Sequence, residues 1–431
     1  MFINQPRTAR RLCSHVDTKR LTNDRPPSFT AKHVLYDDHG ILFTDNTQLH
    51  ARRRKAFHGA LKFYDDRVGR LEDAILENVE DIVVEMKRKD AVDITSVCRD
   101  MFIRVIHILL VGEGVYSPEH FTAVETFFRR WTSFTNADLA ILQCLPVLRH
   151  VPGLRFKKKM DDLISARDDV IKLYFEDIKQ TYDEMDERGI VDHLLAVQKA
   201  FRERGDLQTI TDETIKAFII ESFVGSVDNN VAVISVIFLV LLHRKDIQDK
   251  MFLEISNTVP LEDPVSLQHK SSLPYAEAVI LESMRFGSSS TLLVPHYTHS
   301  DIDFDGHHIP RNSILFMNAW FCHRRADLWA GEASAWEFHP ERFLAEDGRL
   351  LPSNHEVRLN MLPFGTGPRQ CPAEVFAKNR LFLIVTNLVK HFQLSPVGKT
   401  PLPDMDPRSW PDDTIVIKPD IFTCGLRLRQ S

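Results

Sequence analysis

The chain has 431 residues, 43% of them hydrophobic, and a formal net charge of -6. That length and apolar content suffice for one large core or two subdomains, and the acidic balance gives no reason to expect nucleic-acid binding. Six cysteines (Cys13, Cys98, Cys144, Cys322, Cys371 and Cys424) lie scattered without C-x-x-C pairing, which argues against a disulfide framework or a zinc site and for a reducing compartment.

Residues 1–29 read as a basic, polar segment that closes on the turn signal Asp24-Arg25-Pro26-Pro27. It is not a signal peptide, because no apolar run follows its basic residues. Residues 40–45 then lead into Leu49-His50-Ala51-Arg52-Arg53-Arg54-Lys55. From 65 to 242 apolar residues recur at three- and four-residue spacing, clearest over 68–84 and 170–182, which predicts a mostly helical body. Breaks fall at Pro146, Pro152-Gly153, Gly189 and Gly205. The longest apolar run, 231–242, is shorter than the roughly 18 residues of a membrane span and predicts a buried helix.

Beyond residue 255 the pattern changes. A helix is predicted over 275–286, followed by β-like stretches at 291–295, 302–309 (turning at Asp305-Gly306) and 314–319, then a loop-rich meander over 323–363. Glu282 and Arg285 share one helical face through their three-residue offset. Most such pairs are exposed and contribute little.

The most specific feature is Phe364-Gly365-Thr366-Gly367-Pro368-Arg369-Gln370-Cys371-Pro372-Ala373. The glycines permit turns and a close backbone approach to a flat ligand. Pro372 suits the first position of a helix, and Val375, Phe376, Leu381, Leu383, Ile384 and Leu388 recur at helical spacing behind it. Cys371 is thus expected at a positive helix end, which favours the thiolate. A sheltered thiolate is one of the axial ligands of haem iron; an isolated cysteine is otherwise a buried free thiol.

Phe-x-x-Gly-x-Arg-x-Cys resembles the haem-binding signature of the cytochrome P450 haem-thiolate monooxygenases. From about Arg25 to the C-terminus the chain is similar to their microsomal drug- and steroid-oxidising branch. The resemblance implies a single haem-thiolate domain over 1–431, mostly α with a minor β portion. It makes Cys371 the iron ligand, places Phe364 in the haem site, and sets Arg369 on a haem propionate. Ala373 stands where the family usually has glycine. Pro340-Glu341-Arg342-Phe343 occupies the place of the third member of a Glu-Arg-Arg network, so that Glu282, Arg285 and Arg342 lock the meander beneath the cysteine loop. His296, after Pro295, inherits a hydrogen bond to a propionate. Arg53 falls on the arginine of a Trp-x-x-x-Arg pattern that meets a propionate, with Leu49 in place of the tryptophan.

Gly225-Ser226-Val227-Asp228-Asn229-Asn230 aligns with the family's Ala-Gly-x-acid-Thr-Thr on the helix over the haem. Asp228 keeps the acid. Asn229 replaces the threonine whose hydroxyl helps deliver protons, and a carboxamide donates and accepts hydrogen bonds without relaying a proton as a hydroxyl does. The resemblance further implies haem b, a lipophilic substrate (steroid, fatty acid or xenobiotic), and NADPH electrons from a separate flavoprotein reductase, since no Rossmann-type glycine fingerprint is present. The reductase is expected on a basic face formed by Arg52, Arg54, Lys55, Lys378 and Arg380. Location at the cytosolic face of the endoplasmic reticulum membrane is implied too, although the branch's N-terminal anchor and first helix have no visible counterpart. Two other readings share these motifs: a haem-thiolate enzyme that rearranges peroxides, suggested by Asn229, and a non-catalytic haem or lipid-binding protein.

Overall fold

The computed structural model describes residues 1–66, 69–329, 331, 333–398, 401–411 and 416–429. Its organising element is a 32-residue helix, Asp212–His243, apolar nearly all round in its second half. Thr211 caps it by accepting the Thr214 N–H at 3.2 Å, and Asp212 and Glu213 sit in its positive first turn. A helix apolar on every side belongs inside a core. By length and composition it could cross a membrane, yet 67% of its most apolar window is buried within the protein. It packs against the Ile94–Val111, Pro274–Gly287 and Glu374–His391 helices. The Ile94–Val111 helix is capped by Asp93, which accepts from Thr95 N and Ser96 N at 2.9 and 3.1 Å.

The β portion is small. Phe2–Ile3 pairs in parallel with Ile314–Met317, which pairs antiparallel with His296–Tyr297. Thr423–Leu428 lies between Ala91–Asp93 and Phe392–Pro396. The expected hairpin forms from Ile302–Phe304 and His307–Ile309, with Asp305 and Gly306 at φ 49° and 76°. The protein is thus mostly helical with a minor β part.

Two local expectations change. Residues 1–29 are not a detached polar segment. Beside the Phe2–Ile3 strand, the helix Pro6–Ser14 buries Ala9, Leu12 and Cys13, a narrow apolar stripe that its arginines obscure in the sequence. Arg10 donates to the Leu359 and Met361 carbonyls at 2.9 and 2.8 Å. Residues 291–295 form no strand; Leu293 takes φ 48°, and regular pairing begins only at His296. The helix expected from residue 68 is described from Gly69 to Met86, residue 68 lying outside the described residues.

Candidate active site

A cavity of about 1070 Å³ opens between the long helix and the cysteine loop. Phe364, Arg369, Cys371, His296, Asp228 and Asn229 all line it. Arg53 does not.

The cysteine loop is a tight structure. The Cys371 N–H donates to the Phe364 carbonyl at 2.8 Å. Gly365 and Gly367 have φ of 73° and 71°, and a Cβ on Gly367 would sit 2.9 Å from the Cys13 carbonyl oxygen. The helix starts at Glu374, so Pro372 precedes it rather than occupying its first position. Cys371 correspondingly lacks the strong helix-end effect expected of it. Burial pushes its thiol up; the Ala373 N–H opposes this, Glu374 adds to it and Arg54 opposes it. A bound metal cation deprotonates such a thiol outright.

One end of the cavity concentrates cations. Arg369 places a guanidinium nitrogen 2.6 Å from His50 Nε2 and donates to the Thr44 carbonyl at 2.5 Å. Arg25 donates to the Leu42, Val294 and Pro295 carbonyls at 2.9, 3.0 and 2.7 Å. Arg54 donates to the Gln370 carbonyl. Burial lowers the pKa of all three arginines, that of Arg369 to about 10. Among the described residues none of the three forms a side-chain ion pair with a carboxylate. Three sheltered like charges paired only with carbonyls and a histidine nitrogen are costly alone and call for an anionic occupant. The two propionates of a haem fit that demand, and the thiol on the same cavity's wall fits its iron.

The early helix, Gln48–Asp66, corrects one assignment. Arg53 turns away, donating to the Thr209, Asp38 and Gln208 carbonyls at 3.1, 2.5 and 3.3 Å. Successive helical residues point about 100° apart, so Arg54 faces the cavity instead. The residue four before it is His50, not Leu49. Accepting from Arg369 at Nε2, His50 carries its proton on Nδ1, which is buried without a partner among the described residues. It is a spare donor, which Leu49, standing at the family's tryptophan position, cannot supply. His296 is held by the Thr22 carbonyl, 2.8 Å from Nδ1, and burial, with Arg25 and Arg369 nearby, keeps it neutral with a pKa of about 3.

Glu282, Arg285 and Arg342 meet as expected. Arg285 grips both Glu282 oxygens at 2.7 Å, and Arg342 Nε reaches the same carboxylate at 3.1 Å. Arg285 also donates to the His323, Ala335 and Glu337 carbonyls, tying the meander to the helix.

The basic docking face does not form as expected. Arg54 lines the cavity, Arg52 pairs with Asp206 at 2.9 Å, and Lys378 pairs with Glu374. Arg380 is fully buried between the Phe102 and Phe376 rings, 4.8 Å from each centroid, with no hydrogen-bond partner among the described residues. Burial lowers its pKa to about 9. Lys55 alone of the five is exposed without an ion pair among the described residues.

On the long helix, Asp228 Oδ1 accepts from Arg99 at 2.9 Å. Asn229 donates to the Gly225 carbonyl at 3.1 Å and accepts from the Ser290 hydroxyl at 2.9 Å. Glu221, one of the cavity residues absent from the expected set, accepts the Ile41 and Leu42 N–H groups at 3.0 and 3.1 Å. Burial raises its pKa to about 7. An acid in so apolar a helix was a visible signal, whereas Arg25 was masked by the prolines that make its segment read as a turn.

A largely helical fold with a thiol and a cluster of arginines around one large cavity defines an oxidoreductase of the haem-binding class. The chain belongs to the cytochrome P450 family: the family model described as Cytochrome P450 matches residues 1–423. It is thereby a monooxygenase-type oxidoreductase, acting on paired donors with incorporation of oxygen. It is 25% identical over 415 residues to a steroid 17-alpha-hydroxylase/17,20 lyase of Ictalurus punctatus, covering 94% of this chain and 78% of that protein. It is 24% identical to human cytochrome P450 2U1 over 83% of this chain and 65% of that one. A match at 30% identity to cytochrome P450 1A1 of Dicentrarchus labrax covers 61% of this chain and 49% of the relative. A solved zebrafish cytochrome P450 structure with progesterone superposes at TM-score 0.83 with 23% identity, covering 99% of this chain and 93% of that one.

Proposed function

We propose that the protein binds haem b through Cys371 and oxidises a lipophilic small molecule, such as a steroid, fatty acid or xenobiotic, with NADPH electrons passed on by a separate reductase. The observation that carries this is the cavity itself: one thiol, three carbonyl-paired arginines, and the Asp228–Asn229 pair line a single space. When bound, the haem supplies oxygen activation, one atom entering the substrate and the other leaving as water. Arg25, Arg54 and Arg369 hold its propionates, and Cys371 supplies the sulfur ligand. Glu282, Arg285 and Arg342 hold the meander below. Asp228, anchored by Arg99, is the nearest acid to Asn229 along the helix. Endoplasmic reticulum association is proposed on the likeness to the microsomal branch. Purified protein reduced under carbon monoxide should show the red-shifted Soret band of a thiolate-ligated haem; its absence from haem-loaded protein overturns this reading.

Asn229 supports a second reading. Its oxygen accepts from Ser290 and one N–H is given to Gly225, and the carboxamide, on the cavity wall, can still hold a water or a substrate oxygen but not relay a proton as a hydroxyl does. Rearrangement of a lipid peroxide needs no such relay. Asn229→Thr separates the two. For a monooxygenase, threonine should raise product formed per NADPH consumed and lower peroxide leakage, because it restores a positioned proton-transfer group. For a rearranging enzyme, it should lower reductase-free turnover of a lipid hydroperoxide.

A further inference from the structure

The charges on the cavity wall do not balance once a dicarboxylate cofactor is allowed for. Arg25, Arg54 and Arg369 answer to two carboxylates. Glu221 is buried and spent on two backbone amides, and Arg380, on the wall as well, is stacked between two rings. A second polar cluster then remains, made by Arg99, Asp228 and Lys418, all lining the same cavity. Asp228 is committed to Arg99. Arg99 also lies over the Phe128 ring, 5.9 Å from its centroid. Lys418 forms no hydrogen bond or ion pair among the described residues, and it is only partly exposed. Two cations therefore face one anion, with the ammonium uncommitted.

Lys418 is held where it is by the chain around it. The Ile417 N–H donates to the Ser289 carbonyl at 2.9 Å, stitching this segment to the 288–295 stretch that forms another part of the wall. Its neighbours on the wall, Val416 and Ile417, are apolar. Burial lowers the Lys418 pKa, while Asp228 opposes and Arg99 reinforces that shift. A half-sheltered ammonium beside apolar walls gains most from a partner that is a carboxylate on a hydrocarbon body.

We infer that the substrate is an amphiphilic acid, its carboxylate taken by Lys418 with Arg99 alongside and its apolar body by the remaining wall. This rests on the reading above that the cavity is the substrate chamber of a haem enzyme. Binding to haem-loaded protein is measured calorimetrically with dodecanoic acid and with dodecan-1-ol, which share a chain and differ in charge. The acid should bind about tenfold or more tightly than the alcohol, as expected for one charge-assisted hydrogen bond. Lys418→Gln should remove that preference and leave the alcohol unchanged, and Lys418→Arg should keep it. Equal binding of acid and alcohol, no binding of either, or an equal loss for both in Lys418→Gln overturns the inference. The carbon monoxide band of the same samples is read separately. A sample with the band and no acid preference sinks only this inference, and one with the preference and no band sinks only the haem-thiolate assignment.

Discussion

Cys371→Ser is expected to lose the thiolate-type carbon monoxide band and turnover together, while the protein remains folded. A serine hydroxyl is a poor iron ligand beside a thiolate, so the effect on chemistry should approach total loss. The structural cost is small. The loop is held by backbone, the Cys371 N–H meeting the Phe364 carbonyl, and by the positive-φ glycines, none of which the substitution touches. The remaining cysteines offer no replacement ligand. Cys13, Cys98, Cys322 and Cys424 are buried and Cys144 is exposed, and none lines the cavity. An intact thiolate band in Cys371→Ser, with an unchanged melting temperature, would refute the ligand assignment.

The second large effect is expected at Arg285. Its guanidinium and the Glu282 carboxylate are fully buried, and five hydrogen bonds leave the fork for Glu282, His323, Ala335 and Glu337. Lysine offers three donors from one point and cannot span the two Glu282 oxygens and three carbonyls set around them. Arg285→Lys therefore strands buried acceptors, and breaking a buried pair costs about 3–5 kcal/mol. Because the carbonyls belong to the meander beneath the cysteine loop, the loss should appear as protein with little bound haem and a lowered urea midpoint. Arg342→Lys should act in the same direction but more weakly, since Arg342 makes a single 3.1 Å contact to Glu282. Normal haem content and an unshifted midpoint in both variants would show that the network is dispensable.

How much of this was legible follows from the kind of signal each residue carries. Glu282 and Arg285 are a local helical offset, and Arg342 lies in a short motif that only the family resemblance joined to them. Arg53 and Arg54 sit in a run of three arginines, where composition has no phase; only the helix geometry distinguishes the one on the cavity from the one on loop carbonyls. Arg380 was read as a surface charge because arginine usually is. Yet it lies three residues after Ala377 and four before Ile384, both buried, so the periodicity of its own helix already marked it as inward. Asn229 was identified as a departure from a family pattern, but its orientation depends on Ser290, 61 residues away, and no local pattern carries that. The same holds for Lys418, whose significance lies in what it faces across the cavity.

The packing of the first helix also has a consequence for how the protein comes into being. Phe2 and Ile3 are completed by Phe316 and Met317, and Arg10 by carbonyls up to 351 residues further on, while Gly367 packs closely on the Cys13 carbonyl. Synthesis at roughly 5–20 residues per second means that these first residues leave the ribosome about 20–70 s before the segments that bury them. During that interval Ala9, Leu12 and Cys13 have no native partner in the later chain, and the loop around Cys371 has yet to be made. The cofactor site is therefore closed by the joining of an early and a late segment of the chain, so it cannot be complete until both have been made.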